Sequence, residues 1–127
     1  MEKYQNFYLN GLEELNYTQE LIKKESAIDL QFFHLQHSVQ KFLKSLLSFY
    51  GVETDLEYID ELIELLEQKT TIKLPNREIF FELSFIPYES GCASQIIYEK
   101  LPKDFVEDVE ILHNFIKEEI GEYNLTE

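Results

Sequence analysis

Four side chains on one predicted helix have types and spacing that could carry out chemistry. His34, His37, Lys41 and Lys44 follow one another at intervals of three and four residues, which brings them to one side of an α-helix. Imidazole can ligate a metal or transfer a proton near neutral pH, and a lysine ammonium group binds phosphate as a point charge. With Gln40, these residues form a candidate ligand- or partner-binding flank. The alternative is an exposed polar face without a specific function.

The sequence around the two histidines does not favour a metal site. A zinc ion needs three or four protein ligands at short range, but positions 30, 38 and 41 are Leu, Ser and Lys. Glu110 and His113 form a single Glu-x-x-His pair, whereas di-iron bundles carry two copies. We therefore predict no metal and no cofactor.

The one cysteine, Cys92, lies in the segment SGCAS, shortly after Glu89. A reactive thiol needs a base or a cation nearby, and a neighbouring carboxylate disfavours the thiolate. We expect an inert thiol in a turn. The chain also has no Walker A, G-x-G-x-x-G or HExxH motif, so no common catalytic signature is present.

Helical periodicity accounts for most of the chain. Breakers interrupt it at Gly51, at Pro75–Asn76 and at Pro87–Gly91. Gly51 is the predicted C-cap glycine of the second helix. The predicted helices cover about 4–24, about 27–50, Thr54 or Asp55 to Lys69, Asn76 to about Pro87, and Asp104 to about 123, and residues 124–127 are expected to fray.

Apolar residues recur every three or four positions along these segments, as expected for helices that pack along one another at a shallow angle. The predicted core positions of the two longest stripes are Ile28, Phe32, Leu35, Val39, Phe42, Leu46 and Phe49, and Phe105, Val109, Leu112, Ile116, Ile120 and Tyr123. The shorter stripes are Tyr8, Leu12, Leu15 and Ile22; Ile59, Leu62, Ile63 and Leu66; and Ile79, Phe80, Leu83 and Phe85. The sequence therefore predicts an all-α fold: one domain over 1–127, built as an antiparallel up-and-down bundle of four main helices plus one short helix.

Charge and composition narrow the possible functions. The chain has 25 acidic and 11 basic residues, a net charge of −14, and Arg77 as its only arginine. Since nucleic-acid binding depends on Lys and Arg, autonomous nucleic-acid binding is not expected. The lone cysteine fits a reducing compartment, the first residues do not resemble a signal peptide, and no apolar run is long enough to span a bilayer. We expect a cytoplasmic protein that does not associate with membranes.

The 18 aromatic residues, ten Phe and eight Tyr, exceed what one helical stripe can bury. Phe80 and Phe81 are adjacent and therefore point about 100° apart on a helix, so one of them is expected to face away from the core. Surplus apolar surface marks an interface, and a two-fold dimer is the commonest outcome. The interface candidates are Phe33, Tyr50, Phe80 and Phe81.

The segment FHLQHSVQKFLKSLLSFYGV, residues 33–52, resembles the helix of HEPN-domain proteins, in which an aromatic-His-x-Gln-Gln block is followed by lysines, leucines and a glycine. The matching positions are Phe33, His34, Gln36, Lys41, Lys44, Leu46, Leu47 and Gly51. The segments YIDELIELL and FIPYESG fit the family only at the level of pattern, and the family's histidine before the leucine-rich segment is missing.

The resemblance implies an antiparallel helical bundle that is commonly a homodimer. Minimal HEPN proteins bind a small nucleotidyltransferase, in toxin–antitoxin or substrate-binding pairs. Many members are metal-independent ribonucleases that carry Arg-x(4–6)-His. That motif is absent here, because Arg77 is followed at 82–84 by Glu, Leu and Ser, and this absence favours a non-enzymatic role.

Three hypotheses follow from the sequence. The first is a non-catalytic HEPN-like subunit that dimerises, binds a nucleotidyltransferase and contributes to a nucleotide or substrate site through the flank from His34 to Lys44. The second is a divergent, metal-independent ribonuclease that uses His34, His37 or His113 together with Lys41 and Lys44. The third is a structural scaffold without a nucleotide role.

Overall fold

The computed structural model describes residues 1–86 and 100–126, and within these ranges all regular structure is helical. The helices are α1 (Lys3–Lys23), α2 (Ile28–Phe49), α3 (Ile59–Lys69), α4 (Arg77–Ser84), α5 (Lys103–Ile120) and α6 (Glu122–Thr126). The predicted all-α class is confirmed. The predicted turn at Cys92 and the breaker segment Pro87–Gly91 lie outside the described residues.

Helix α2 lies at the centre of the fold and contacts α1, α3, α4 and α5. The apolar stripes that the sequence predicts on α2 and α5 are buried in one contiguous core, which confirms the periodicity argument along most of their length. The fully buried members are Phe32, Leu35, Val39, Phe42 and Leu46 on α2, and Val109, Leu112 and Ile116 on α5. Ile28 and Phe49, at the two ends of α2, are only partly buried.

Small residues let α1 approach α2 closely. Ser38 Oγ donates a hydrogen bond to the carbonyl oxygen of Gly11 at 2.9 Å, and Ser45 Oγ donates to that of Tyr4 at 2.8 Å. A Cβ atom at Gly11 would lie 2.8 Å from Cδ1 of the buried Phe42 ring. The pairing of residue 38 with 11 and of 45 with 4 shows that α1 and α2 are antiparallel.

The predicted core face of α1 is wrong at its C-terminal end. Ile22 is exposed and Leu21 is buried instead. The contact line of α1 runs through Gly11 and Thr18, which are both buried. Because small and polar residues give no hydrophobic signal, the apolar pattern did not show the correct rotation of the helix.

The ends of α1 and α2 have the same backbone geometry. Gly51 has φ +78°, Gly51 N–H donates to the Ser48 carbonyl and Val52 N–H donates to the Leu47 carbonyl. This is the Schellman pattern, and it confirms the predicted C-cap glycine. Glu25 takes the equivalent left-handed position after α1, with φ +51°.

Three other predicted boundaries are wrong. Helix α3 begins at Ile59 and not at Thr54 or Asp55. Thr54 Oγ1 accepts from the Leu56 N–H, and residues 52–58 have no regular secondary structure. Phe85 follows α4 and is exposed. Residues 122–126 form α6 rather than fraying, since Leu125 is buried.

Helices α3 and α4 form a second antiparallel pair. Ser84 Oγ donates to Asp60 Oδ1 at 2.9 Å, and Arg77 donates to both carboxylate oxygens of Glu67. The C-terminal carbonyls of α4 therefore lie next to the start of α3 and the middle of α2. None of the helices in the described ranges has the combination of length and apolar character needed to cross a bilayer.

Candidate functional site

Helix α2 has a second face that mixes apolar and polar side chains, on the side away from its core stripe. We define the outer face of α2 as Leu30, Phe33, His34, His37 and Lys41, whose spacing of three, one, three and four residues aligns them along the helix. Leu30 is 46% exposed, and Tyr17 of α1, which is 50% exposed, borders this face. A rigid helix thus displays aromatic, imidazole and ammonium groups side by side.

His34 takes part in the contact between α1 and α2. Its Nδ1 lies 2.5 Å from Oε2 of Glu14, and its ring packs edge-on against the ring of Tyr17, with the centroids 4.6 Å apart. One side of the imidazole is therefore occupied by a carboxylate of the same chain. The sequence could not indicate this partner, because Glu14 lies 20 residues away.

His37 is stacked on Phe33, with ring centroids 4.3 Å apart. Burial lowers the pKa of His37 below its ordinary value, and the neighbouring Lys41 ammonium adds to this effect, whereas Glu14 opposes it. The imidazole is therefore neutral near pH 7 and can offer one donor and one acceptor nitrogen. His37 also lines a small cavity between α2, the start of α3 and the end of α4.

Gln40 and Lys44 are not on an exposed flank, which corrects the sequence-based expectation. Gln40 is buried, and its Nε2 donates to the carbonyl oxygen and to Oε2 of Glu57. The Lys44 side chain is 9% exposed, and its ammonium donates to Glu57 Oε1 at 2.9 Å. The reason is that residues 51–58 fold back over α2, so both side chains hold this segment in place.

Lys41 and Lys44 share an aromatic neighbour on α1. Their ammonium groups lie 5.7 and 5.9 Å from the centroid of the Phe7 ring, within the range of a cation–π interaction. The five predicted flank residues therefore do not all converge on one site. His34 packs on α1 and Lys41 stays on the outer face. His37 and Gln40 line the same small cavity, and Lys44 binds Glu57 beside it.

The interface candidates also separate. Phe80 is fully buried and belongs to the core, so it supplies no surface to an interface of the folded chain. Phe81 is partly buried and packs under the Arg77 guanidinium, 4.6 Å from its ring centroid. Tyr50 is partly exposed and donates to Glu119 at 3.0 Å, and burial together with this hydrogen bond raises the pKa of Tyr50. Phe33 lies on the outer face of α2.

Gln36 is the residue that sequence reasoning missed as a functional candidate. It is 4% exposed, and its Nε2 donates to the carbonyl oxygens of Leu83 and Ile86 at 2.8 and 2.7 Å. Its Oε1 is buried and has no hydrogen-bond partner among residues 1–86 and 100–126. The signal available in the sequence was its position, four residues after Phe32 and three before Val39, on the buried half of the helix.

Gln36 lines the same cavity as His37. The cavity has a volume of about 20 Å³ and is lined by Gln36, His37, Gln40, Glu57, Tyr58, Ile59 and Ser84. Its lining is rich in hydrogen-bond acceptors, and one of them, Gln36 Oε1, accepts no hydrogen bond from the described residues. Such an arrangement suits binding of a donor group more than covalent chemistry.

His113 lies apart from this site, where α1 and α5 meet. Its Nε2 is hydrogen-bonded to the Tyr8 hydroxyl at 2.7 Å, and its ring stacks on Phe42. Among residues 1–86 and 100–126, no three His, Cys, Asp or Glu side chains come together as metal ligands. Comparisons of the chain with protein-family models, with curated proteins and with solved structures gave no match.

Proposed function

We propose that this protein is a non-catalytic, HEPN-like helical subunit that forms a homodimer and binds a partner protein. The expected partner is a small nucleotidyltransferase in the cytoplasm, in a toxin–antitoxin or substrate-binding pair. The observation that carries the proposal is the outer face of α2, where Leu30 and the neighbouring Tyr17 are half exposed beside the Phe33–His37 stack. Apolar surface of this kind on an otherwise acidic chain is typical of a protein-binding face.

The ion pairs support a binding role over phosphate chemistry. The only arginine, Arg77, binds Glu67 through two hydrogen bonds, and Lys44 binds Glu57. To bind phosphate, the Arg77 guanidinium and the Lys44 ammonium would first have to break these ion pairs. We also propose that the main helices follow one another in an antiparallel, up-and-down order. The antiparallel α1–α2 and α3–α4 pairs support this arrangement.

Light scattering during size-exclusion chromatography tests the dimer. We expect the wild-type chain to elute with twice its 15.2 kDa mass, and the Leu30→Glu variant to elute as a monomer with an unchanged helical circular dichroism spectrum. Ile111 on α5 is exposed to a similar extent, so Ile111→Glu is the matched control and should remain dimeric. A wild-type chain that stays monomeric at 100 μM would overturn this part of the proposal.

Capture from native cells tests the partner. The tagged wild-type chain is expected to retain a small nucleotidyltransferase, identified by mass spectrometry, and the Leu30→Glu variant is expected to lose it. Recovery of the chain without any nucleotidyltransferase would contradict the proposed partnership, while leaving the dimer to be judged by its mass.

A further inference from the structure

The side-chain amide of Gln36 is held in one orientation. Because backbone carbonyls can only accept hydrogen bonds, the two bonds to Leu83 and Ile86 require the amide nitrogen of Gln36 on that side. The orientation of the amide is therefore fixed, and Oε1 must lie on the other side of the group. This oxygen is buried without a hydrogen-bond partner in the part of the chain that the structure describes. Buried acceptors are normally satisfied, and an exception calls for an absent donor.

The cavity beside Gln36 has room for one small donor group. Its volume of about 20 Å³ exceeds the roughly 10–15 Å³ that a single water-sized group needs. Gln40 donates to Glu57 through Nε2, so its Oε1 is a second acceptor in the lining. Glu57 also lines the cavity, and its side chain is 60% exposed. Its carboxylate is a third acceptor, which already accepts from Lys44 through Oε1 and from Gln40 through Oε2.

The charge and size of the site favour an ammonium group. An ammonium ion is compact and has three donors, whereas a guanidinium group is planar and carries five donors in a wide fork. Glu57 and the nearby Asp60 carry two negative charges, of which the Lys44 ammonium bound to Glu57 Oε1 balances one. One negative charge therefore remains beside the cavity, and the whole chain has a net charge of −14, which attracts cationic partners. Tyr58 lines the opening and is 56% exposed, so its ring can cover the methylene stem of a lysine.

We propose that this cavity, bounded by Gln36, Gln40, Glu57 and Tyr58, is a socket for the side-chain ammonium of a lysine on the partner protein. The ammonium donates to Gln36 Oε1, Gln40 Oε1 and the Glu57 carboxylate, and the lysine stem lies along Tyr58. The proposal rests on the proposed function in that the lysine belongs to a bound partner, and it names the chemistry by which that partner is recognised.

Nuclear magnetic resonance of the full ¹⁵N-labelled chain tests the socket directly. The side-chain NH₂ of Gln36 is held by two carbonyls, so its resonance reports on the same amide whose oxygen accepts the ammonium. The probes are three peptides of the form acetyl-Gly-Gly-X-Gly-Gly-amide, in which X is lysine, Nε-acetyl-lysine or arginine. We expect the lysine peptide to shift the Gln36 resonance saturably, with an affinity at least tenfold higher than that of either other peptide.

Variants at the opening provide the second measurement, because Gln36 itself caps α4 and its replacement risks unfolding the chain. Tyr58→Ser is expected to weaken binding of the lysine peptide several-fold. Tyr17 is exposed to a similar extent but does not line the cavity, so Tyr17→Ser should bind as the wild type does. Equal affinities for the three peptides, or an unchanged Gln36 resonance in the presence of excess lysine peptide, would overturn the socket.

The same samples separate the two proposals. If the chain is dimeric and the lysine peptide does not shift the Gln36 resonance, the proposed function stands and the socket is ruled out. If the chain is monomeric and binds the lysine peptide selectively, the proposed dimer is ruled out and the socket stands.

Discussion

The burial of the Lys44 side chain depends on one carboxylate, that of Glu57. Its side chain is almost completely buried, and Glu57 supplies the hydrogen bond that its ammonium makes. A buried charge without a partner is strongly unfavourable. The same Glu57 binds Gln40, so a single residue of the segment 51–58 fixes two polar residues of α2.

Replacement of Glu57 is expected to reveal this dependence. Glu57→Ala leaves the Lys44 ammonium buried without its carboxylate, and we expect a loss of about 1–3 kcal/mol in the free energy of unfolding. The matched control is Glu53→Ala, which removes the exposed Lys3–Glu53 pair and should change stability by less than about 0.5 kcal/mol. Urea denaturation measures both, and Lys44→Met in the Glu57→Ala background should recover part of the loss. Equal effects of the two alanine variants would contradict this account.

His113 is expected to make stability depend on pH. Burial lowers the pKa of His113, so the unfolded chain, in which the pKa is about 6.5, binds more protons than the folded chain at mildly acidic pH. The contribution of His113 is therefore complete above about pH 6.5 and falls as the pH decreases toward the lower pKa of the folded state. His37 shifts in the same direction and adds a second contribution.

The His113→Gln variant isolates the first contribution. Glutamine keeps a polar partner for the Tyr8 hydroxyl and cannot titrate. We expect the stability difference between pH 7.5 and pH 5.5, measured by urea denaturation, to be smaller in the variant than in the wild type. An identical pH profile in the two proteins would show that His113 protonation does not limit stability.

At the scale of residues, the sequence identified side chains but not their partners. The spacing of His34, His37 and Lys41 placed them on one side of α2, and the structure agrees. The burial of Gln40 and Lys44 was not predictable, because it depends on Glu57 returning from beyond Gly51. Gln36 escaped notice for a related reason: its acceptors are carbonyls at the end of α4, 47 and 50 residues away.

At the scale of elements, helices with a long apolar repeat were predicted best. Helix α2 was expected over about 27–50 and spans Ile28–Phe49, since its repeat is sustained and Gly51 ends it. The start of α3 was wrong because the local signal at Thr54 competes with contacts to α2, and such contacts have no local pattern. Helix α6 was missed because it depends on the burial of Leu125 and on a hydrogen bond from Gln5 Nε2 to the Asn124 carbonyl.

The crossing of α1 and α2 gives a prediction at this scale. Gly11→Ala raises helix propensity by about 1 kcal/mol, but the new Cβ would lie 2.8 Å from the Phe42 ring. Because Phe42 is fully buried, we expect the cost of overpacking to exceed the gain in helix propensity. The free energy of unfolding should fall by about 1–3 kcal/mol. Asn10→Ala, at an exposed position of the same helix, is the control and should not destabilise. Thermal and urea denaturation measure both variants, and a stabilised Gly11→Ala protein would mean that the helices can separate at low cost.

At the scale of the whole molecule, one core is surrounded by a strongly acidic surface. The chain has 25 acidic and 11 basic residues. This excess of negative charge produces net repulsion in the compact state, which opposes folding. Salt shortens the range of this repulsion from about 30 Å at 0.01 M to about 3 Å at 1 M. The exposed ion pairs that salt also weakens contribute little individually.

Added salt is therefore expected to stabilise the protein. We expect the free energy of unfolding to increase by about 1 kcal/mol between 0.01 and 1 M NaCl, which corresponds to about 4 °C in Tm for a chain of this size. Differential scanning calorimetry measures the change, and KCl should give the same result if screening is the cause. A Tm that falls with added NaCl would show that attractive ion pairs outweigh the repulsion.

The close contact between α1 and α2 has a consequence for the order of folding. The residues that join these helices, such as Gly11 with Ser38 and Glu14 with His34, are only 20–27 positions apart, so little loop entropy is lost when they meet. We expect this hairpin to form in the transition state and α5 to dock afterwards. In stopped-flow measurements, Gly11→Ala should then slow refolding, whereas Leu112→Ala should mainly accelerate unfolding.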